Sequence, residues 1–213
     1  RIPAGFLLWS DAMASGWDAR FAGEDYLFGT KPADFLAHHT GLVPNGARAL
    51  CVADGEGRNS VWLAEQGCDV LAFDLSRTGL DKARTLAASR NVSVDFRQAD
   101  IMQWDWRAEP FDLVVAIFFQ FLSPDQRGPV FDGLKDSLAP GGRLMLHGYT
   151  PGQVDLGTGG PPDRENMYTA PMLRDAFGDL HILRLAEYEA ELSEGTGHAG
   201  RSALIDLIAD KPV

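Results

Sequence analysis

Cysteine is scarce: the 213 residues hold two, Cys51 and Cys68. Both fall inside apolar runs, so they read as reduced core thiols of a cytoplasmic protein and exclude a disulfide scaffold. Long apolar runs are missing as well, and none approaches the ~18 residues that cross a bilayer. The stretch 5–9 is too short for a signal-peptide core and is preceded by one positive charge, Arg1, so no leader is expected. Basic charge is in deficit, with 19 Lys and Arg against 30 Asp and Glu, a formal net charge of −11. Such a surface repels phosphate backbones, and without a basic patch it argues against nucleic acid as a partner. The five histidines, His38, His39, His147, His181 and His198, show no ligand spacing for zinc, and the cysteines add none. Repeats, low-complexity tracts and linkers are also absent. What is present is an ordinary globular composition, 45% apolar and 23% charged. One domain over 1–213 is expected, with an N-terminal lead-in at 1–46 and a sheet core at 47–213.

Beyond residue 46 the pattern alternates between apolar runs of strand length and amphipathic helices. Strands are expected at 49–53, 69–75, 92–96, 111–118 and 143–149. Helices are expected at 59–66, 78–90 and 124–138, and a shorter one in the lead-in between Pro32 and Gly41. This alternation defines an α/β protein, a doubly wound, Rossmann-like, mostly parallel sheet with helices on both faces. The end breaks the pattern. Two strand-like runs, 180–191 and 202–209, are joined by the Gly-rich segment 194–200, which suggests an antiparallel hairpin. Residues 150–162, rich in Gly and Pro, and the Pro140-Gly141-Gly142 stretch read as loop and turn.

Open parallel sheets bind ligands beyond the carboxyl ends of their strands, where strand order reverses. Three segments fall there. Ala53-Asp54-Gly55-Glu56-Gly57-Arg58-Asn59 follows the first strand and opens a helix; Gly55 and Gly57 allow a sharp turn and close backbone approach. Glycine in such a turn also serves geometry alone. Asp74 ends the second strand, 19 residues beyond Gly55. A carboxylate there accepts the hydroxyls of a ribose, or else caps the helix that follows. Gln98-Ala99-Asp100-Ile101 follows the third strand, where Asp100 suits an adenine amino group and Ile101 its ring.

In series these segments resemble the class I S-adenosylmethionine-dependent methyltransferases. The resemblance rests on Leu50-Cys51-Val52-Ala53-Asp54-Gly55-Glu56-Gly57-Arg58-Asn59-Ser60, Phe73-Asp74-Leu75-Ser76, Gln98-Ala99-Asp100-Ile101, Phe111-Asp112-Leu113-Val114-Val115 and Leu138-Ala139-Pro140-Gly141-Gly142. The Gly-Glu-Gly-Arg-Asn-Ser run, the lead-in Tyr26-Leu27-Phe28-Gly29-Thr30-Lys31-Pro32 and Gly157-Thr158-Gly159-Gly160-Pro161 look most like the small bacterial branch of tellurite-resistance (TehB-like) methyltransferases. The resemblance implies a seven-stranded sheet with its last strand antiparallel and S-adenosyl-L-methionine as cofactor. It places Gly55 and Gly57 beside the methionine part, Asp74 on the ribose, Asp100 and Ile101 at the adenine and Ile117 in the same cleft, with Asn59 and Leu75 also among the cofactor-binding residues. Two positions depart from the family pattern: Cys51 stands where an acidic residue is usual, and Ala53 where glycine is common.

Methyl transfer from a sulfonium is an in-line displacement that needs alignment and exclusion of water more than catalytic groups. Tyr26, in a lead-in that the resemblance makes a lid, and His147 and Tyr149, on one face at the end of the fifth strand, are the candidates to act on the acceptor. Each has a plainer role open to it in packing or loop bonding. His198 reads as a turn residue. Phe118, Phe119, Phe121 and Leu122 read mainly as packing, with one or two left to wall a substrate pocket. Trp104 and Trp106 read as packing near the adenine edge. The expected acceptor is a small molecule, with a thiol or chalcogen nucleophile suggested by the nearest branch, and the protein is expected to be a monomer or homodimer. Two alternatives remain. A non-catalytic module that binds the cofactor or its demethylated product fits the changes at Cys51 and Ala53. An NAD-dependent dehydrogenase fits less well, since Ser60 stands where its third glycine belongs.

Overall fold

The computed structural model describes residues 4–213, with side chains from Met13 onward. Arg1 and the side chains of 5–9, on which the leader expectation rests, lie outside the described residues. Seven strands, β1 (Arg48–Val52), β2 (Asp69–Asp74), β3 (Asp95–Gln98), β4 (Phe111–Ile117), β5 (Leu138–Tyr149), β6 (His181–Glu194) and β7 (His198–Asp210), form one sheet in the order β3-β2-β1-β4-β5-β7-β6. The first five run parallel; β7 is antiparallel to both β5 and β6. Strand order reverses between β1 and β4, so the expected architecture is the observed one, with its switch point there.

Among the described residues seven α-helices accompany the sheet: α1 (Ala4–Phe21), α2 (Asp34–His38), α3 (Arg58–Glu65), α4 (Arg77–Ser89), α5 (Pro124–Asp136), α6 (Gln153–Leu156) and α7 (Ala170–Phe177). Alternation along β1 divides the core between the two faces. Leu50 and Val52 join Phe131, Leu134, Leu173 and Phe177 from α5 and α7. Ala49 and Cys51 join Phe35, Leu36 and Leu63 from α2 and α3 on the other face. Strands covered on both sides lose polar positions, which is why β1 and β4 are near-continuous apolar runs. Both cysteines are buried free thiols, and burial raises both above the usual thiol range.

Four local departures from the expected elements have identifiable causes. The third strand begins at Asp95, later than residue 92, because Asn91 takes a left-handed φ of 56° and Val92 donates back to Ala87, so 92–94 complete the helix exit. The Pro140-Gly141-Gly142 turn is absorbed into β5 as an irregularity: Phe111 pairs with Leu138, and Leu113 with Arg143. The hairpin loop is shorter than 194–200. Both strands run on until Glu194 faces His198, leaving Gly195, Thr196 and Gly197 as the turn. The 150–162 segment holds the single-turn α6, ordered around Gln153, whose amide bonds Thr158, Gly159 and the Ala203 N–H. Two helices carry no sequence expectation of their own: α1, and α7 with its Thr169 cap on Met172.

Candidate functional site

At the carboxyl ends of β1, β2 and β4 lies a cavity of about 420 Å³, within the usual range for small-molecule sites. Its polar floor is built by the β1–α3 turn. Ala53 holds a φ of 50°, a strained setting for a residue with a Cβ, where glycine is the family habit. Gly55 follows at φ 59°, and a Cβ there would lie 3.2 Å from the Phe21 ring. Asp74 reaches across from β2 and joins the two turns: one carboxylate oxygen accepts the Gly55 N–H at 2.8 Å and the other the Ser76 N–H at 2.8 Å. Asp54 accepts a short hydrogen bond from the Ser60 hydroxyl. Burial raises the Asp54 carboxyl to about 7, with nearby Asp74 adding to it. Burial likewise raises Asp74 to about 6 against the lowering effect of its backbone donors. Two neighbouring buried carboxyls suit a cationic ligand.

Of the residues expected at the cofactor, Gly55, Asn59, Asp74, Leu75, Asp100, Ile101 and Ile117 line this cavity. Asp100 is already engaged, accepting from the Met102 N–H and the Gln103 side chain. Gly57 is the exception. Its φ is 86°, and a Cβ would fall 2.6 Å from the Ala83 Cβ of α4, so this glycine serves the packing of α3 against α4 and does not line the cavity. Gly57→Ala is expected to cost about 3 kcal/mol, combining a left-handed penalty with overpacking; a urea titration that shows no loss would refute the assignment.

The polar residues of the same motif also bond the lead-in, Arg58 and Asn59 doing so while lining the cavity. Glu56 accepts the Leu27 N–H at 2.8 Å and pairs with Lys82 at 2.5 Å. Arg58 donates to the Phe28 carbonyl at 3.2 Å, and the Asn59 carbonyl oxygen accepts the Ala33 N–H at 2.9 Å. Lys82 in turn caps the carbonyls of Gly23 and Asp25. The motif therefore fastens 21–33 to the sheet. That placement corrects the expectation for Tyr26: it lies outside the cavity lining, its hydroxyl donates to the Lys82 carbonyl at 3.0 Å, and its ring packs beside Val61, Leu86 and Ala87. The N-terminal wall is formed instead by Trp17, Arg20 and Phe21 of α1, with Phe28. Asp18 anchors this helix by bonding Ser76 and Thr78 at the start of α4.

His147 is displaced from its expected role too. Buried to 1% exposure, it bonds Asp206 at 2.8 Å and stacks on Phe35 at 4.8 Å, and it does not line the cavity. Burial alone would raise Asp206, but His147, Arg184 and Tyr188 together hold it below the usual carboxylate range. Tyr149 does line the cavity, and its buried hydroxyl has no hydrogen-bond partner. Burial, with Glu194 nearby, raises its pKa, so it stays protonated. Phe118, strained at φ 55°, packs against both residues, while Phe119 and Leu122 turn into the core and Phe121 toward the cavity. Trp104 stacks on Phe73 at 4.2 Å, with Trp106 edge-on; neither reaches the cavity. His198, expected to be a turn residue, lines the cavity. Only the register of the hairpin could have revealed it, because the strands must be extended to 194 and 198 before the imidazole points inward.

A reversed-order parallel sheet with a glycine turn, an acid after β2 and a seventh antiparallel strand defines the class I methyltransferase fold. Residues 49–142 match the family model of a methyltransferase domain, and the fold is that of the class I S-adenosylmethionine-dependent methyltransferases. Within that class it resembles TehB of Haemophilus influenzae, with a TM-score of 0.67 at 20% identity over 84% of this chain and 61% of that one. A protein solved in connection with the conversion of a disulfide bond into a thioacetal group during echinomycin biosynthesis superposes with a TM-score of 0.76 at 20% identity, covering 94% of this chain and 92% of that one. At these identities the likeness is one of fold. Carboxy-S-adenosyl-L-methionine synthase of Pseudomonas putida is 31% identical over 123 residues, 55% of this chain and 49% of the relative. The chain thus spans about half the length of the curated relative it matches.

The cavity suits the cofactor of this class, S-adenosylmethionine. Its positive charge would be accommodated by the buried carboxyl of Asp54 and the faces of Phe21 and Phe28, which line the cavity. Among the described residues no helix is long and apolar enough to cross a membrane.

Proposed function

We propose that the chain transfers a methyl group from S-adenosylmethionine to a small molecule bearing a soft nucleophile, a thiol being the favoured acceptor. The observation that carries this reading is one cavity lined both by the carboxyls of Asp54, Asp74 and Asp100 and by a set of aromatic side chains. Asp74 would hold the ribose hydroxyls, Asp100 and Ile101 the adenine, and the β1–α3 turn with Asp54 the methionine part. When bound, the cofactor supplies an electrophilic methyl on a positively charged sulfur. Phe118, Phe121, Tyr149, Pro161 and Pro162 also line the cavity and would strip water from an acceptor that enters beside them. A large, polarisable sulfur nucleophile loses little on desolvation, whereas a charged amine loses much. The likeness to the echinomycin protein, whose substrate chemistry is that of sulfur, points the same way. The two buried free thiols accord with a reducing, cytoplasmic setting.

The test is a labelled-methyl assay over small thiols, selenols, tellurite, amines and phenols. Transfer to thiols well above amines and phenols is expected; preferred transfer to an amine would overturn the choice of acceptor, and tight cofactor binding without transfer would favour a sensor. A second reading has one observation behind it. Arg20 lines the cavity and stacks on Trp17 at 4.3 Å, where its guanidinium would meet an anionic group that enters. With the relationship to carboxy-S-adenosyl-L-methionine synthase, that favours a carboxylated cofactor as product. The mass of the nucleoside recovered from the same assay with carboxylic acids present distinguishes the two.

A further inference from the structure

The β6–β7 turn sets Glu194 opposite His198, and His198 lines the cavity beside Phe28, Phe118 and Tyr149. Both are nearly inaccessible, at 5% and 6% exposure. Glu194 is fixed from two sides: one oxygen accepts the Asp34 N–H at 2.8 Å, and the other pairs with Arg58 at 2.7 Å. That second oxygen also faces His198 Nδ1 at 3.7 Å. The imidazole packs between Phe28, at 4.3 Å, and Phe118, at 4.2 Å, and stands edge-on to Tyr149 at 5.7 Å. Buried polar atoms almost always have partners. His198 Nδ1 and the Glu194 oxygen it faces lack a hydrogen bond with each other because they stand 3.7 Å apart, but the Tyr149 hydroxyl, on the cavity lining, has no hydrogen-bond partner at all and marks the place of a polar ligand atom.

We propose that His198, oriented by Glu194, is the general base that takes the proton of the methyl acceptor, and that the Tyr149 hydroxyl donates a hydrogen bond to that acceptor. The proposal rests on the thiol reading above and adds a residue role to it. The acceptor's S–H bond breaks with its proton passing to the imidazole nitrogen remote from Glu194. The electron pair left on sulfur forms the new bond to carbon, while the pair of the old carbon–sulfonium bond stays with the departing thioether. The imidazolium so formed lies beside a carboxylate, which draws Nδ1–H into a hydrogen bond that is loose beforehand, as catalytic contacts in ligand-free enzymes often are. The proton passes to solvent when product leaves.

The surrounding charges favour this role. Burial lowers the His198 pKa; Glu194 opposes that, and Arg58 and His147 add to it, so the ring is neutral and able to accept near pH 7. Burial would raise Glu194, but His198, Arg58 and the Asp34 N–H outweigh it and leave the carboxyl at about 2, ionised throughout. Tyr149 is the remaining titratable group in ring contact and stays protonated.

The experiment compares an alkyl thiol with a nitro-substituted aryl thiol, which is already ionised at neutral pH, in wild-type protein, His198→Asn and Glu194→Gln. His198→Asn is expected to lose about 10²- to 10³-fold in kcat on the alkyl thiol, the usual range for a lost general base, and only a few-fold on the aryl thiolate. Glu194→Gln should lose less, in the same pattern. Affinity for S-adenosylhomocysteine, read by calorimetry, should be unchanged in both. In wild-type protein, kcat/KM for the alkyl thiol should rise through one ionisation below the ordinary histidine range, a limb absent for the aryl thiolate; this holds the proposal to account even where a variant fails to fold. Equal losses on both thiols, or none, would overturn the base assignment with the thiol reading intact. Wild-type protein that methylates neither thiol would overturn both.

Discussion

Asp74→Ala is expected to weaken S-adenosylhomocysteine binding at least 100-fold by calorimetry, the largest effect of any single change at the cofactor end. Two causes combine. The carboxylate bonds both the β1–α3 and β2–α4 turns, through the Gly55 and Ser76 N–H groups, so its loss leaves two buried donors unpaired at about 1–3 kcal/mol each. It is also the partner assigned to the ribose hydroxyls, and hydrogen bonds to a charged acceptor contribute about 1.5–3 kcal/mol apiece. Asp74→Asn keeps one oxygen and should fall between. A thermal shift separates the causes, since the first lowers stability without ligand and the second does not. Unchanged affinity in Asp74→Ala would dismiss the ribose assignment.

The pH dependence follows with a definite sign. Burial raises Asp74 to about 6 and Asp54 to about 7, both above the ~4 of an exposed Asp. A carboxyl raised on folding binds its proton more tightly in the native state, so its contribution to stability is complete below pH 4 and is lost as pH rises toward 7. The unliganded protein should therefore become less stable over that window from these two groups. Cofactor affinity should run oppositely, weakening as pH falls below about 6 because the carboxylate form accepts the ribose hydroxyls and attracts the cation.

Period and glycine placement made the sheet legible in the sequence: strands covered on both faces must be apolar throughout, and their helices must follow. The positions along the strand ends were legible for the same reason, since each lies where a parallel strand must stop. Residues whose roles depend on long-range register were not. Tyr26 and His147 looked exposed to substrate because nothing local discloses Lys82 beneath one or Asp206 opposite the other. His198 looked like a turn residue because the Gly-rich 194–200 segment conceals how far β6 and β7 extend. Glu56, Arg58 and Asn59 sit in the motif nearest the cofactor, yet their partners are Leu27, Phe28 and Ala33. A motif can thus be shared for what it fastens as much as for what it binds.

Arg58→Met is the corresponding test of that fastening, expected to cost about 3–5 kcal/mol, the usual loss when one partner of a buried ion pair is removed. Glu194 would keep its charge at 5% exposure without its closest cation, and the Phe28 carbonyl would lose its donor. For a chain of this length that is a fall of about 10 °C in Tm. The double variant Arg58→Met with Glu194→Leu should recover part of the loss, because an apolar pair removes the stranded charge; it should not recover all, since the Asp34 N–H then lacks its acceptor. The pH profile supplies a check independent of packing. With Glu194 at about 2 in the folded chain, its contribution is present above the ~4.3 of an exposed Glu and is lost as pH falls toward 2. Removing Arg58 raises that carboxyl, so the stability gap between wild type and Arg58→Met should narrow as pH falls through this window. A constant gap from pH 7 to pH 3 would show that the arginine stabilises by packing alone and that the turn carrying His198 is held by something other than this ion pair.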